Sequence, residues 1–223
     1  MTTSSDDGRR LVLEDVYLAA FILVASAVAA LLWLPQLGSS FWLDETGTAW
    51  LTEGSLADTL SRSLHYQGGA PLFLAVEWVV RQLTGLSEVG LRLPSVAGMG
   101  AAAYFVFALG RRLYDARAGA YASVVFVSLP AIAFAASDAR PYALALATVT
   151  GSAVALVRWM DTKRVRDGVV YAATVAATVL LHYMFLLVLA VQAVFVVSRV
   201  RSGFRADAKT ILPVGGALAL FLL

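Results

Sequence analysis

VYLAAFILVASAVAALLWLPQLGSSFWLDE, residues 16–45, holds the two features that decide the fold. Val16 to Leu34 is an apolar run of about 19 residues, long enough to cross a hydrocarbon core of about 30 Å. Just beyond it stands the acidic pair Asp44-Glu45. Charge held that close to a bilayer is costly and points to function. The run exceeds the roughly 7–15 residues of a signal-peptide core, so it reads as an uncleaved span. Arg9 and Arg10 precede it and hold the N-terminus in the cytoplasm, while Glu14 and Asp15 count for little in that rule.

The rest of the chain repeats the theme. Its 223 residues are 60% hydrophobic and 14% charged, with mean hydropathy +0.77, whereas a soluble domain carries about 25% charged residues. This composition implies an all-α, polytopic transmembrane helical bundle. The net charge of +2 and the pI near 9.0 do not signal nucleic acid. The basic residues cluster in short loops between apolar runs, the pattern of membrane topology. The absence of cysteine excludes disulfides and thiolate metal sites.

Three basic loops set the orientation: Arg111, Arg112 and Arg117; then Arg158, Lys163, Arg164 and Arg166; then Arg199, Arg201, Arg205 and Lys209. Placed inside, they make Leu91–Leu109 an inward span, Ala118–Ala136 an outward one and Pro141–Arg158 an inward one. Gly168–Arg199 is basic at both ends, so it folds into two short spans with His182-Tyr183 at the outer apex. The last run, Ile211 to Leu223, is too short to complete a crossing, so the chain reads as the N-terminal part of a longer protein. Residues 1–15 then form a polar, mobile cytoplasmic tail and residues 16–223 a transmembrane domain.

Residues 36–90 form the first outer loop, with amphipathic juxtamembrane helices. A short helix starts at Asp44. A second covers Leu56–Gln67, with Leu56, Leu60 and Leu64 on one face and an Asp58–Arg62 pair on another; it lies along the membrane surface. Pro71 opens a third, Leu72–Leu83. About 12–13 residues are short for a span, and topological parity forbids a crossing there, so it rests on the outer side. Three clusters thus share one face: Asp44/Glu45 with His65-Tyr66, Asp138/Arg140/Tyr142, and His182-Tyr183.

The ordered strings FWLDE (41–45), HYQGGAPLF (65–73), SEVGLRLPSVAG (87–98), GRRLYDARAGAYA (110–122), SDARPYAL (137–144) and LLHYMFLL (180–187) resemble the GT-C glycosyltransferases. The likeness is to the protein O-mannosyltransferase and aminoarabinose-transferase type, and covers about residues 35–200. It implies transfer of a hexosyl or pentosyl group from a polyprenyl-phosphate donor to a protein, lipid or glycan hydroxyl, with inversion. The site would face outward from the plasma membrane, in the cell envelope. No nucleic acid is involved.

Under that resemblance Asp44 matches the acidic residue of the first outer loop and serves as base or acceptor-orienting carboxylate, with Glu45 beside it as a second catalytic candidate. The plain alternatives are a helix cap for Asp44 and a solvated acid for Glu45. Asp138 and Arg140 match an acidic-Ala-Arg turn that usually reads Glu-Ala-Arg. Arg140 suits a donor phosphate, and Pro141 places a helix N-terminus beside it. The alternative is an Asp138–Arg140 pair that only anchors the span. His65, Arg92, Tyr142, His182 and Tyr183 complete the substrate-binding candidates. Arg92 could equally snorkel, and Trp42, Trp50 and Tyr66 fit an interface belt, with stacking on a sugar as the alternative. A divalent cation between Asp44 and Asp138 is left open. No Walker loop, Rossmann fingerprint or HExxH string occurs. Two other classes compete: a sugar or lipid transporter or flippase, whose charges would sit near the midplane, and a non-catalytic assembly subunit.

Overall fold

The structure is a computed structural model that describes residues 3–66 and 70–201. Among those residues the only regular structure is helix, and the all-α membrane bundle expected from composition is the fold found. Among the described residues, three helices are long and apolar enough to cross a membrane: Val12–Gln36, Glu88–Leu113 and Tyr142–Thr162. The first belongs to α1 (Thr3–Val28), which continues through a π-helical turn, Ala29–Trp33, and a 3-10 turn, Leu34–Gln36. Because α1 begins at Thr3, the polar N-terminal segment is helix rather than an irregular tail.

α5 (Glu88–Leu113) starts at Ser87, whose hydroxyl accepts the Gly90 N–H at 3.0 Å. It returns through α6 (Ala116–Ser128) against a close backbone contact. A Cβ on Gly110 would lie 2.7 Å from the Gly119 Cα, so only glycine allows this approach. The outward run expected as one span, Ala118–Ala136, is broken. α6 and α7 (Pro130–Ala136) meet at 72°. Pro130 lacks an N–H and forces Leu129 into extended backbone (φ −69°, ψ 132°), which ends one helix and starts the next. α8 (Tyr142–Thr162) then descends, and α9 (Val165–Leu181) and α10 (Leu186–Arg201) form the expected short hairpin around His182. Gln192 of α10 joins it to its neighbours, accepting from the Tyr171 hydroxyl at 3.0 Å and donating to the Ser152 hydroxyl at 2.8 Å. The run from Ile211 to Leu223 lies outside the described residues.

One end of the bundle is tied by ion pairs: Arg111–Glu14 at 2.6 Å, Arg112–Asp161 at 2.7 Å and Arg158–Asp167 at 2.9 Å. Exposed pairs of this kind contribute little stability. They do show that the start of α1, the end of α5 and the α8–α9 junction share one end, the end rich in arginine. The segments around residues 34–90, 137–141 and 182–185 therefore share the other.

At that second end lie α2 (Leu43–Leu51), α3 (Leu56–His65) and α4 (Pro71–Thr84). In α3 the expected Asp58–Arg62 pair does not form. Asp58 is spent on the helix N-terminus, exchanging backbone and side-chain bonds with Ser55 at 3.1 Å. Arg62 donates instead to the carbonyls of Trp50 and Glu53. Leu56, Leu60 and Leu64 are exposed, an apolar row suited to a membrane surface. α4 lies across the bundle end rather than through it. Ala70 and Phe73 pack against Ala145 and Leu181, and Thr84, at its other end, meets Gly90.

What fixes this loop is Arg92, buried on α5. Its guanidinium donates to the carbonyls of Leu37 at 2.8 Å and Ser39 at 2.6 Å, and through Nε to Glu45 at 2.7 Å. Glu45 is fully buried and also accepts the backbone N–H of Trp42 at 3.2 Å and of Ala139 at 2.9 Å. Burial pushes the Glu45 carboxyl up; the bonds from Arg92, Ala139 and Trp42 outweigh it and hold the carboxyl below its ordinary value. Breaking a buried, hydrogen-bonded pair leaves an uncompensated charge. Glu45→Gln is therefore expected to cost about 3–5 kcal/mol, read as a large loss of thermal stability in purified, detergent-solubilised protein.

Candidate functional site

The α2 N-terminus and the turn at residues 138–140 are built as one unit. Thr48, one turn after Asp44, donates its hydroxyl to the Ala139 carbonyl at 2.9 Å. Glu45 accepts the N–H of the same residue, so both polar groups of the Ala139 backbone are claimed by α2. Ser95 of α5 donates to the Asp138 carbonyl at 2.6 Å, and the Arg140 N–H reaches the same carbonyl at 2.8 Å to close the turn. These bonds fix where the side chains of Asp138 and Arg140 start.

Arg140 pairs with Asp44 at 3.2 Å. The Arg140 side chain is 15% exposed and that of Asp44 45%, so the pair sits in a wall that opens outward. Arg140 also donates to the Tyr142 hydroxyl at 3.3 Å and lies over its ring. Tyr142 in turn meets His182, with ring centroids 5.4 Å apart, and His182 leads to Tyr183 at 5.8 Å. Burial, and then the nearby Arg140 charge, push the His182 imidazole below its ordinary value, which favours a neutral ring. The fold thus brings Asp44, Arg140, Tyr142, His182 and Tyr183 together from three distant parts of the chain.

Asp138 stands behind this wall. Its Oδ1 accepts the indole N–H of Trp42 at 3.1 Å, while Oδ2 is buried with no protein partner. The Nε of Arg140 is likewise buried and unpartnered. Burial raises the Asp138 carboxyl to about 6, against the lowering bond from Trp42. The alternative in which Asp138 merely pairs with Arg140 is not what the chain does: the Arg140 ion pair is made with Asp44.

Three of the sequence candidates are placed differently. Glu45 and Arg92 are buried and spent on each other and on the loop backbone, so they hold the wall together rather than lie on its open side. His65 ends α3, with Nδ1 against the Ser61 carbonyl at 2.8 Å, and no contact joins it to Asp44 or Arg140. Among the described residues no group of three or more His, Cys, Asp or Glu side chains could hold a metal ion. Asp44 and Asp138 remain two carboxylates, one turned to Arg140 and one to Trp42.

Sequence reasoning missed Thr48 and Ser95 and gave Trp42 a different role. Helical spacing carried a signal for Thr48, since Glu45, Thr48 and Thr52 fall on one face of α2 and all are buried. Trp42 looked like an interface aromatic because its partner, Asp138, is 96 residues away.

Residues 69–223 match the model of a family described as dolichyl-phosphate-mannose-protein mannosyltransferase. That stretch contains Asp138, Arg140, Tyr142 and His182, while FWLDE lies ahead of it. No curated protein and no solved structure matches the chain. With well over half its length matched, and with a multi-helix membrane fold, the chain belongs to the dolichyl-phosphate-mannose-protein mannosyltransferase family of GT-C-type membrane glycosyltransferases.

Proposed function

We propose that the chain carries the catalytic wall of an inverting glycosyltransferase that uses a polyprenyl-phosphate sugar and works on the extracytoplasmic face. The observation that carries this reading is the Asp44–Arg140 pair, half-open to solvent and flanked by Tyr142 and a neutral His182. The pair joins an anion-binding group to a carboxylate that can take a proton.

The steps follow from charge. A guanidinium offers a planar fork of donors that fits phosphate oxygens. An arriving lipid phosphate competes with Asp44 for Arg140, and its capture frees the carboxylate. The acceptor hydroxyl oxygen then attacks the anomeric carbon from the side opposite the phosphate. The new C–O bond forms as the bond to the phosphate oxygen breaks. The electron pair leaves with the lipid phosphate, facing Arg140, and the hydroxyl proton passes to Asp44. A carboxylate is a weak base, yet the proton grows acidic as the oxygen bonds to carbon, so transfer late in the step suffices. Attack opposite the leaving group inverts the anomeric centre. The location of these charges at one end of the bundle, rather than near the bilayer midplane, supports a transferase over a transporter.

Dolichyl-phosphate mannose, named in the family description, is the first donor to assay. Asp44→Asn removes the proton acceptor while keeping shape; it is expected to lower mannosyl transfer at least about 100-fold with membrane insertion unchanged. Turnover equal to wild type would remove Asp44 from the mechanism. Arg140→Lys keeps the charge and loses the fork, so the donor KM should rise roughly tenfold or more. An unchanged donor KM would place the phosphate elsewhere.

A further inference from the structure

Glu77 lies in the middle of α4 and is fully buried, and neither carboxyl oxygen has a hydrogen-bond partner. A lone carboxylate in such a place is costly, and the group escapes the cost by keeping its proton. Phe73 and Leu74, one turn back on the same helix, are buried at 1% and 2% exposure, so the surroundings are apolar.

The cations that could compensate Glu77 are committed elsewhere. Arg81, one turn on, donates to the Ala49 carbonyl and the Thr52 hydroxyl. On α5, Arg92 holds Glu45 and the loop carbonyls, and Glu88 opens the helix. On α3, Arg62 is bound to the Trp50 and Glu53 carbonyls, Asp58 to Ser55, and His65 to the Ser61 carbonyl. From α2, Glu45 faces Glu77 with a like charge, while Asp44 is turned to Arg140. α9 offers no charged side chain between Gly168 and Leu181. Burial first, and then the Glu45 charge, raise the Glu77 carboxyl well above its ordinary value of 4.5.

We propose that Glu77 is a proton-operated latch: neutral, it seats α4 beneath α2 and keeps Asp44 opposite Arg140; ionised, it opens the outer-loop helices. The connection runs through named contacts. Arg81 ties α4 to the carbonyl end of α2, and Phe73 and Leu74 tie it to Ala145 and Leu181 beside the site. An ionised Glu77 beside Glu45 would draw water into this seam and separate the helices.

The sign follows from linkage. The raised carboxyl contributes fully to closure below the ordinary carboxyl value. Its contribution then falls as pH rises, and is gone above the raised value of the closed state. Within that window the opening equilibrium gains about tenfold per pH unit. Glu77→Gln, uncharged at every pH, should lack the dependence.

The test uses the full chain in lipid nanodiscs and needs no sugar transfer. Trypsin cleavage at Arg81 is followed against pH in wild type and Glu77→Gln. The ratio of wild-type to variant cleavage should climb with pH. A flat ratio overturns the latch. Difference infrared spectra across the same pH series should show the C=O stretch of a protonated acid in wild type, lost as pH rises, and not in Glu77→Gln; its absence throughout the series also overturns the proposal. Should Glu77→Gln fail to fold, Glu77→Met serves, because an apolar side chain of similar length fits the same site. Collapse of both variants would mean that the carboxyl makes a needed bond, which again overturns it. The link to Asp44 rests on the glycosyltransferase reading: transfer by wild type should fall on the alkaline side and that of Glu77→Gln should not. A pH-dependent cleavage ratio without any transfer would sustain the latch and sink the enzyme reading instead.

Discussion

A single buried carboxylate, Glu45, carries the architecture of the segment between α1 and α5. It binds a guanidinium from α5, the backbone of its own helix start and the backbone of a turn 94 residues away. Without it the Arg92 guanidinium would lose its only anionic partner among the described residues. Such a charge is worth burying only when every lone pair is used, and here the bonds converge from three donor residues. Arg92 returns the same service, gathering the carbonyls of Leu37 and Ser39 where the chain leaves its first span. The end of that span, the start of α2 and the acidic-Ala-Arg turn are therefore held in one geometry.

On this base the site is assembled from parts that have little in common as sequence. α2 supplies an acid near its first turn, the tight turn before α8 supplies a guanidinium, and the break between α9 and α10 supplies an imidazole. The break at Pro130 matters too. It turns α7 by 72°, and Phe134 on α7 then meets the Trp42 ring edge-on at 5.9 Å while the Trp42 indole reaches Asp138. A straight outward span would not have offered Trp42 that wall.

Much of this was legible beforehand because hydropathy and charge report directly on membrane topology. The positions of α2, α3 and α4, the hairpin at His182 and the shared face of Asp44, Arg140, Tyr142 and His182 all follow from that bookkeeping. What stayed hidden depends on contacts between distant residues. No local pattern says that Arg92 will be buried against Glu45 rather than snorkel, or that Arg62 will prefer two carbonyls to Asp58. The break at Pro130 was not read, because the apolar composition runs on through it. Glu77 interrupts an otherwise apolar helix, and its burial without a partner is a property of three-dimensional packing.

Asp44 and Glu45 show how fine that packing is. They are neighbours in sequence with the same functional group, and a helix turns about 100° between them. One rotation sends Glu45 into the seam between α2, α5 and the turn, where exposure is nil, and leaves Asp44 on the open side at 45%. The first acid can then keep the wall rigid and the second can exchange partners. A chain with one acid there could not do both, since a carboxylate bound by three fixed donors is a poor proton acceptor, and a mobile one cannot hold a turn in place. The DE pair is thus a division of labour imposed by helix geometry: Glu45 is committed to the protein, and Asp44 stays on the open side beside Arg140, available for the role proposed for it.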